Sequence, residues 1–172
     1  MNEQMMMHGV DWRGEDLTGF ILSEKFNGCR AYWDGNQLWS RGGMSQQLPE
    51  GWTLPNIPLD CELYDGTDGL YRCGAALRYG RFTPTMRLMV FDAPMAAGDY
   101  QDRMAVAKDA VACSAIAECP ALIVCQSNSH ALSLMLDIQS RGGEGIVARM
   151  PGLKYRPGRT REMLKVKRAL RE

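Results

Sequence analysis

Two runs rich in aromatic residues, Arg30-Ala-Tyr-Trp33 and Gln37-Leu-Trp-Ser-Arg41, flank the turn Asp34-Gly35-Asn36, and Gly42-Gly43 closes the unit. An Asp-Gly turn between two such runs is a β-hairpin signal, because these residues tolerate the tight reversal that pairs neighbouring strands. Further short apolar runs read as strands over residues 20–24, 57–64 (after a proline-punctuated loop), 87–92 (ended by Ala93-Pro94), 121–125, 145–149 and 163–167. Helices are expected over 70–79, over the Ala-, Met- and Val-rich stretch 101–117, and from an N-cap at Ser129 to Arg141, where Gly142-Gly143 supplies the stop. Strands crowd together early and alternate with helices later, so the expected class is α+β with mainly antiparallel sheets. A length of 172 residues suits one domain.

Apolar residues make up 45% of the chain, enough to build a core and too many for a disordered tail. The formal net charge is zero, but its distribution is uneven. Residues 141–172 hold seven Arg and three Lys against three Glu, a balance of +7 that leaves −7 on residues 1–140. A polyanion would meet the basic end, although charge clusters of this kind also serve as solvated termini. No apolar run approaches the roughly 20 residues that span a bilayer, and the start lacks an export signal, so a cytoplasmic, non-membrane monomer is expected. The six cysteines form no C-x-x-C pair and have only His8 and His130 for company, which reads as reduced, mostly buried thiols and not a zinc site.

The segment Ser23-Glu24-Lys25-Phe26-Asn27-Gly28-Cys29-Arg30 carries the most chemistry. A lysine directly after a strand, with a glycine three residues on, stands at a rigid rim where backbone can approach a ligand closely. Taken alone, Lys25 is a solvated surface lysine; as a nucleophile it needs nearby positive charge or burial to shed its proton. Lys165 and Lys167, two apart on one late strand, place cations on a single face that would also neutralise phosphate. Asp60 and Glu62 likewise share one face of the strand over 57–64, suited to Mg²⁺ or a ribose hydroxyl, or simply the solvent side of an amphipathic strand. Glu144 sits at a glycine-marked turn beside a strand, and Phe91 is placed either to stack on a base or to fill the core.

Together these segments resemble the nucleotidyltransferase domain of ATP-dependent DNA ligases, in the superfamily that includes RNA ligases and mRNA-capping enzymes. Lys25-Phe-Asn-Gly-Cys-Arg30 is similar to the family's K-x-D-G-x-R, Leu59-Asp60-Cys-Glu62-Leu63 to its D-G-E-L, and Val90-Phe91-Asp92 to its adenine-stacking segment. Glu144-Gly-Ile-Val-Ala-Arg149 resembles E-G-[IV]-[VM]-x-[RK], Lys165-Val-Lys167 the closing K-x-K, and Leu38-Trp-Ser-Arg41-Gly-Gly43 the segment whose arginine grips a 5′-phosphate. The likeness runs in family order over residues 20–168. It implies one ATP-grasp-like nucleotidyltransferase (adenylation) domain spanning residues 1–172. ATP would be held by Ser23, Glu24, Arg30, Glu62, Phe91 and Glu144, and Mg²⁺ (or Mn²⁺) by Asp60, Glu62 and Glu144. Lys25 would be the nucleophile, assisted by Lys165 and Lys167. Nicked double-stranded DNA would lie on Arg41, Lys154, Arg156 and Arg159, for a role in DNA repair, replication or recombination.

Three departures accompany the likeness. Asn27 replaces the family's Asp and resembles some RNA ligases, which makes RNA an alternative substrate. Cys61 replaces the Gly beside the paired acids. No segment resembling the family's OB-fold domain follows Lys167, so a separate OB-domain partner, or a non-catalytic nucleotide- or nucleic-acid-binding module, are the remaining readings.

Overall fold

The computed structural model describes residues 6–169. Eleven strands and three helices follow in the order β1 (Met7–Asp11), β2 (Ile21–Lys25), β3 (Cys29–Trp33), β4 (Leu38–Ser40), β5 (Ser45–Gln46), β6 (Leu59–Tyr64), α1 (Leu70–Tyr79), β7 (Arg87–Asp92), α2 (Tyr100–Val111), β8 (Ala117–Glu118), β9 (Ile123–Val124), α3 (Asn128–Ser140), β10 (Gly145–Arg149) and β11 (Gly158–Val166). They form a five-stranded sheet, β1-β11-β10-β2-β9, and a six-stranded sheet, β5-β4-β3-β6-β7-β8. All pairings are antiparallel except β1 with β11 and β7 with β8. The α+β reading with mainly antiparallel sheets is what the chain adopts.

Alternation along the strands decides what faces what. On β2, β10 and β11, Leu22, Ile146, Ala148, Leu164 and Val166 turn to one side and pack with Ala131, Met135 and Ile138 of α3 in an apolar cluster. On the second sheet Ala31, Trp33, Leu59, Cys61 and Leu63 join Cys73, Ala76 and Leu77 of α1 and Met104, Ala107 and Val111 of α2 in a larger one. The residues in between, including Lys25, Arg30, Glu62, Phe91 and Lys165, are left to line a groove between the sheets.

The hairpin around Asp34 forms as expected: Trp33 pairs with Leu38, and the Asp34 carboxylate accepts from the backbone N–H groups of Asn36 (2.8 Å) and Gln37 (2.7 Å). The helix expected over 101–117 stops at Val111. The Ser114 hydroxyl there accepts from the N–H groups of Ile116 (3.3 Å) and Ala117 (3.1 Å), turning the chain so that Ala117 pairs with Leu88. The cap of α3 is Ser127, two residues before the expected Ser129, and its side chain accepts from the His130 N–H at 3.1 Å. Strand assignments change as well: β1, β5 and β8 have no expected counterpart, and β11 begins at Gly158 and not at Met163, because it pairs with β1 along its length. No described helix is long and apolar enough to cross a membrane.

Candidate active site

Lys25 ends β2 and faces Gly145 of β10, with Ser23, Val147 and Lys165 side by side one pair further along the sheet. Its ammonium donates to Oε2 of Glu144, and Lys167 reaches Oε1 of the same carboxylate at 2.7 Å. Burial works against charge on Glu144. The hydrogen bonds from Lys167 and Lys25 outweigh it and hold the carboxyl below the usual carboxylate range. Lys165 lies along the same face, 3.6 Å from Asp11. Gln139 of α3 fixes this corner by donating to the backbone oxygens of Glu144 (3.1 Å) and Lys167 (2.8 Å).

Gly28 lets the loop after Lys25 fold against β6. A Cβ there would lie 2.1 Å from the Leu63 carbonyl oxygen, so no other residue fits. The approach delivers the Gly28 N–H to the Glu62 carboxylate. Burial pushes Glu62 up to about 7 all the same, against the opposing pull of Arg30 and Lys25.

Arg30, pairing with Glu62 across β3 and β6, stacks its guanidinium 4.7 Å from the centre of the Phe91 ring. Arg149 approaches the same ring at 5.8 Å and donates to the Ser23 hydroxyl at 2.8 Å. Arg30, Phe91 and Arg149, with Arg41, Arg78 and Arg159, line a groove of about 980 Å³ whose chemistry is two phenylalanine rings, three carboxylates and many cations. Such a lining suits a base attached to phosphates.

Asp60, expected among the metal ligands, takes no part in that lining. It is fully buried, and its oxygens accept from Nε and Nη2 of Arg30, both at 2.5 Å, and from the Tyr155 hydroxyl at 2.6 Å. A bulge in the β6–β7 ladder at Asp60 and Cys61 accompanies the change of environment between Asp60 and Glu62. Asp92, opposite Asp60, is buried too and is held by Arg103 at 2.7 and 3.0 Å. No group of three or more His, Cys, Asp or Glu side chains among the described residues is arranged to cage a metal. Of the three carboxylates that line the groove, Glu62 and Glu144 fit Mg²⁺ in the way that ion is usually held, by one or two carboxylates together with phosphate oxygens.

Comparison with known proteins places this geometry. No family model matches the chain. A DNA ligase of Haemophilus influenzae is 27% identical over 179 positions, covering 98% of this chain and 64% of that protein. A structure from a study of DNA binding by Lig E DNA ligases superposes with a TM-score of 0.80 at 21% identity, over 95% of this chain and 68% of that one. The Chlorella virus DNA ligase-adenylate gives 0.74 at 19% identity, over 95% of this chain and 67% of the viral one. The ATP-dependent DNA ligase of bacteriophage T7 in complex with ATP gives 0.67 at 11% identity, over 95% and 68%. The chain has the nucleotidyltransferase-domain fold of ATP-dependent DNA ligases. It spans about 64% of the length of the curated relative.

Within this ligase-type fold the residues singled out from sequence divide into three groups. Lys25, Arg30, Glu62, Phe91, Glu144, Lys165 and Lys167 line the groove, together with the exposed Arg41 and Arg159. Ser23 is buried beneath it as the acceptor for Arg149, and Glu24 lines the groove as well, its carboxyl raised by burial, with Asp137 of α3 and Arg141 nearby. Lys154 and Arg156 are exposed on either side of Tyr155, outside the groove, because Tyr155 turns inward to Asp60. Sequence reasoning assigned no role to Arg149 or Tyr155. The available signal was the buried-strand setting of Arg149, an arginine ending the apolar run Gly-Ile-Val-Ala.

Proposed function

We propose that the chain acts as the adenylation domain of an ATP-dependent DNA ligase. The convergence of Lys25 and Lys167 on Glu144, beside Phe91 and Arg30, is the observation that carries the reading. Adenine stacks near Phe91, and Glu62 with Arg30 holds the ribose side. Glu144 accepts a hydrogen bond from Lys25 and so aims its nitrogen at the groove. The ammonium sheds one proton to water, the lone pair of the neutral amine forms a bond to the α-phosphorus as the bond to pyrophosphate breaks, and the second proton leaves with the departing pyrophosphate. Lys165 and Lys167 offset the charge that develops on the phosphate oxygens, the largest help a protein gives to such a displacement. Glu62 and Glu144 would hold a Mg²⁺, which would supply further neutralisation of the phosphates.

The lysyl-AMP then loses its AMP to a 5′-phosphate oxygen at a nick, breaking the P–N bond. A 3′-hydroxyl displaces AMP in turn, closing the phosphodiester. Arg41, exposed and lining the groove, is suited to hold the 5′-phosphate, and the basic strand from Arg159 to hold the polymer.

Incubation with α-labelled ATP and Mg²⁺ tests the first step. The parent protein is expected to carry label on Lys25 and Lys25→Ala none; a parent that stays unlabelled at high protein concentration refutes the proposal. Sealing nicked DNA and nicked RNA in parallel then distinguishes the two polymers.

A further inference from the structure

Residues 69–91 contain four arginines, Arg72, Arg78, Arg81 and Arg87, and no acidic residue, although residues 1–140 as a whole are acidic. Two of the four are accounted for internally: Arg72 pairs with Asp65, and Arg87 donates to the carbonyls of Pro84 (2.9 Å) and Met86 (2.8 Å). Arg78 and Arg81 make no ion pair among the described residues. Instead both guanidinium carbons lie against one ring, 5.6 and 5.4 Å from the centre of Tyr79, which is 62% exposed.

The helix ending creates this arrangement. Gly80 takes a left-handed φ of 70° and donates to the Ala76 carbonyl at 2.9 Å, so the chain reverses and returns Arg81 to the ring that Arg78 already approaches. Two like charges gathered on one exposed ring repel each other, and a polyanion supplies the counter-charge the protein withholds. The pair is also continuous with the groove. Arg78 lines it together with Arg41, and the Gln46 side chain ties β5 to the end of α1 by donating to the Leu77 carbonyl at 3.4 Å.

We propose that Arg78, Tyr79 and Arg81 form a phosphate track at the end of α1, which carries the backbone of a DNA duplex away from Arg41. This rests on the polynucleotide reading of the groove. Each guanidinium neutralises one phosphate, and the ring sets their spacing. Contacts of this kind fix register on the duplex and read no sequence.

The test is the salt dependence of binding to a nicked, 5′-phosphorylated DNA duplex. Each phosphate contact contributes a slope of about 0.9 in log K against log salt, or about eightfold in affinity at 0.1 M salt. Arg78→Gln with Arg81→Gln should lower the slope by about 1.8 and weaken binding roughly 60-fold at 0.1 M salt. Arg78→Lys with Arg81→Lys should keep the slope, which separates lost charge from damage to the helix end. An unchanged slope in the glutamine variant overturns the track. Labelling of Lys25 by ATP reports separately on the adenylation reading: label with an unchanged slope sinks the track alone, and a reduced slope without label sinks adenylation alone.

Discussion

Replacing Arg30 by Met should destabilise the domain by about 3 kcal/mol, at the lower end of the roughly 3–5 kcal/mol lost when one partner of a buried ion pair is removed. The Asp60 carboxylate has no exposed surface and receives two of its hydrogen bonds from Arg30, at 2.5 Å each. Met fills much of the volume but leaves the charge with Tyr155 as its remaining side-chain donor, at 2.6 Å, which is why the lower figure applies. For a chain of this size the loss corresponds to about 6–12 °C in melting temperature. Urea unfolding with an unchanged m-value is the measurement. The double variant Arg30→Met with Asp60→Asn removes the stranded charge and should recover a large part of the loss. If the single variant costs less than about 1 kcal/mol, or the double is no more stable than the single, the account of Asp60 as a buried anion held by Arg30 fails.

Two further outcomes follow from the groove. Glu62 has a folded pKa of about 7 against 4.5 when exposed, so its protonated form is the one the fold prefers. Its contribution is fully present below about 4.5 and is lost as pH rises through about 7. Glu62→Gln should therefore match the parent in urea at pH 4 and exceed it at pH 8, by at most about 3 kcal/mol; a difference independent of pH contradicts this. Arg41→Ala should slow transfer of AMP to a nick far more than it slows labelling of Lys25 in single-turnover assays, and equal loss at both steps argues against its proposed hold on the 5′-phosphate.

What the sequence disclosed was whatever local chemistry governs. The Asp34 turn, the helix at Leu70–Tyr79 and the strands carrying Lys25, Glu62 and Phe91 follow from turn residues and alternation within a few positions. The strand Met7–Asp11 does not, because Met-His-Gly-Val-Asp lacks alternation and becomes a strand only by lying parallel to a segment some 150 residues away. Asp60 shows the same limit at the site. Its spacing from Glu62 correctly puts both on one face of β6, yet that face passes from open groove to closed interior within two residues, and Tyr155, 95 positions distant, closes it. A shared face says nothing about how deep each position lies.

Where the sheets approach one another behind the groove, several of the contacts are polar. Arg30 of β3 reaches across to the Met7 carbonyl at 3.0 Å, and Arg103 joins Asp92 to the Leu153 carbonyl at 2.9 Å. Arg149 of β10 lies 4.6 Å from the ring centre of Tyr100 at the start of α2. Oily surfaces can slip past each other at little cost, whereas a forked cation seated on its acceptors has one seat. The two slabs are thus doweled into a single alignment, and exchanging these dowels for grease would yield a protein that still folds but whose two jaws no longer meet squarely.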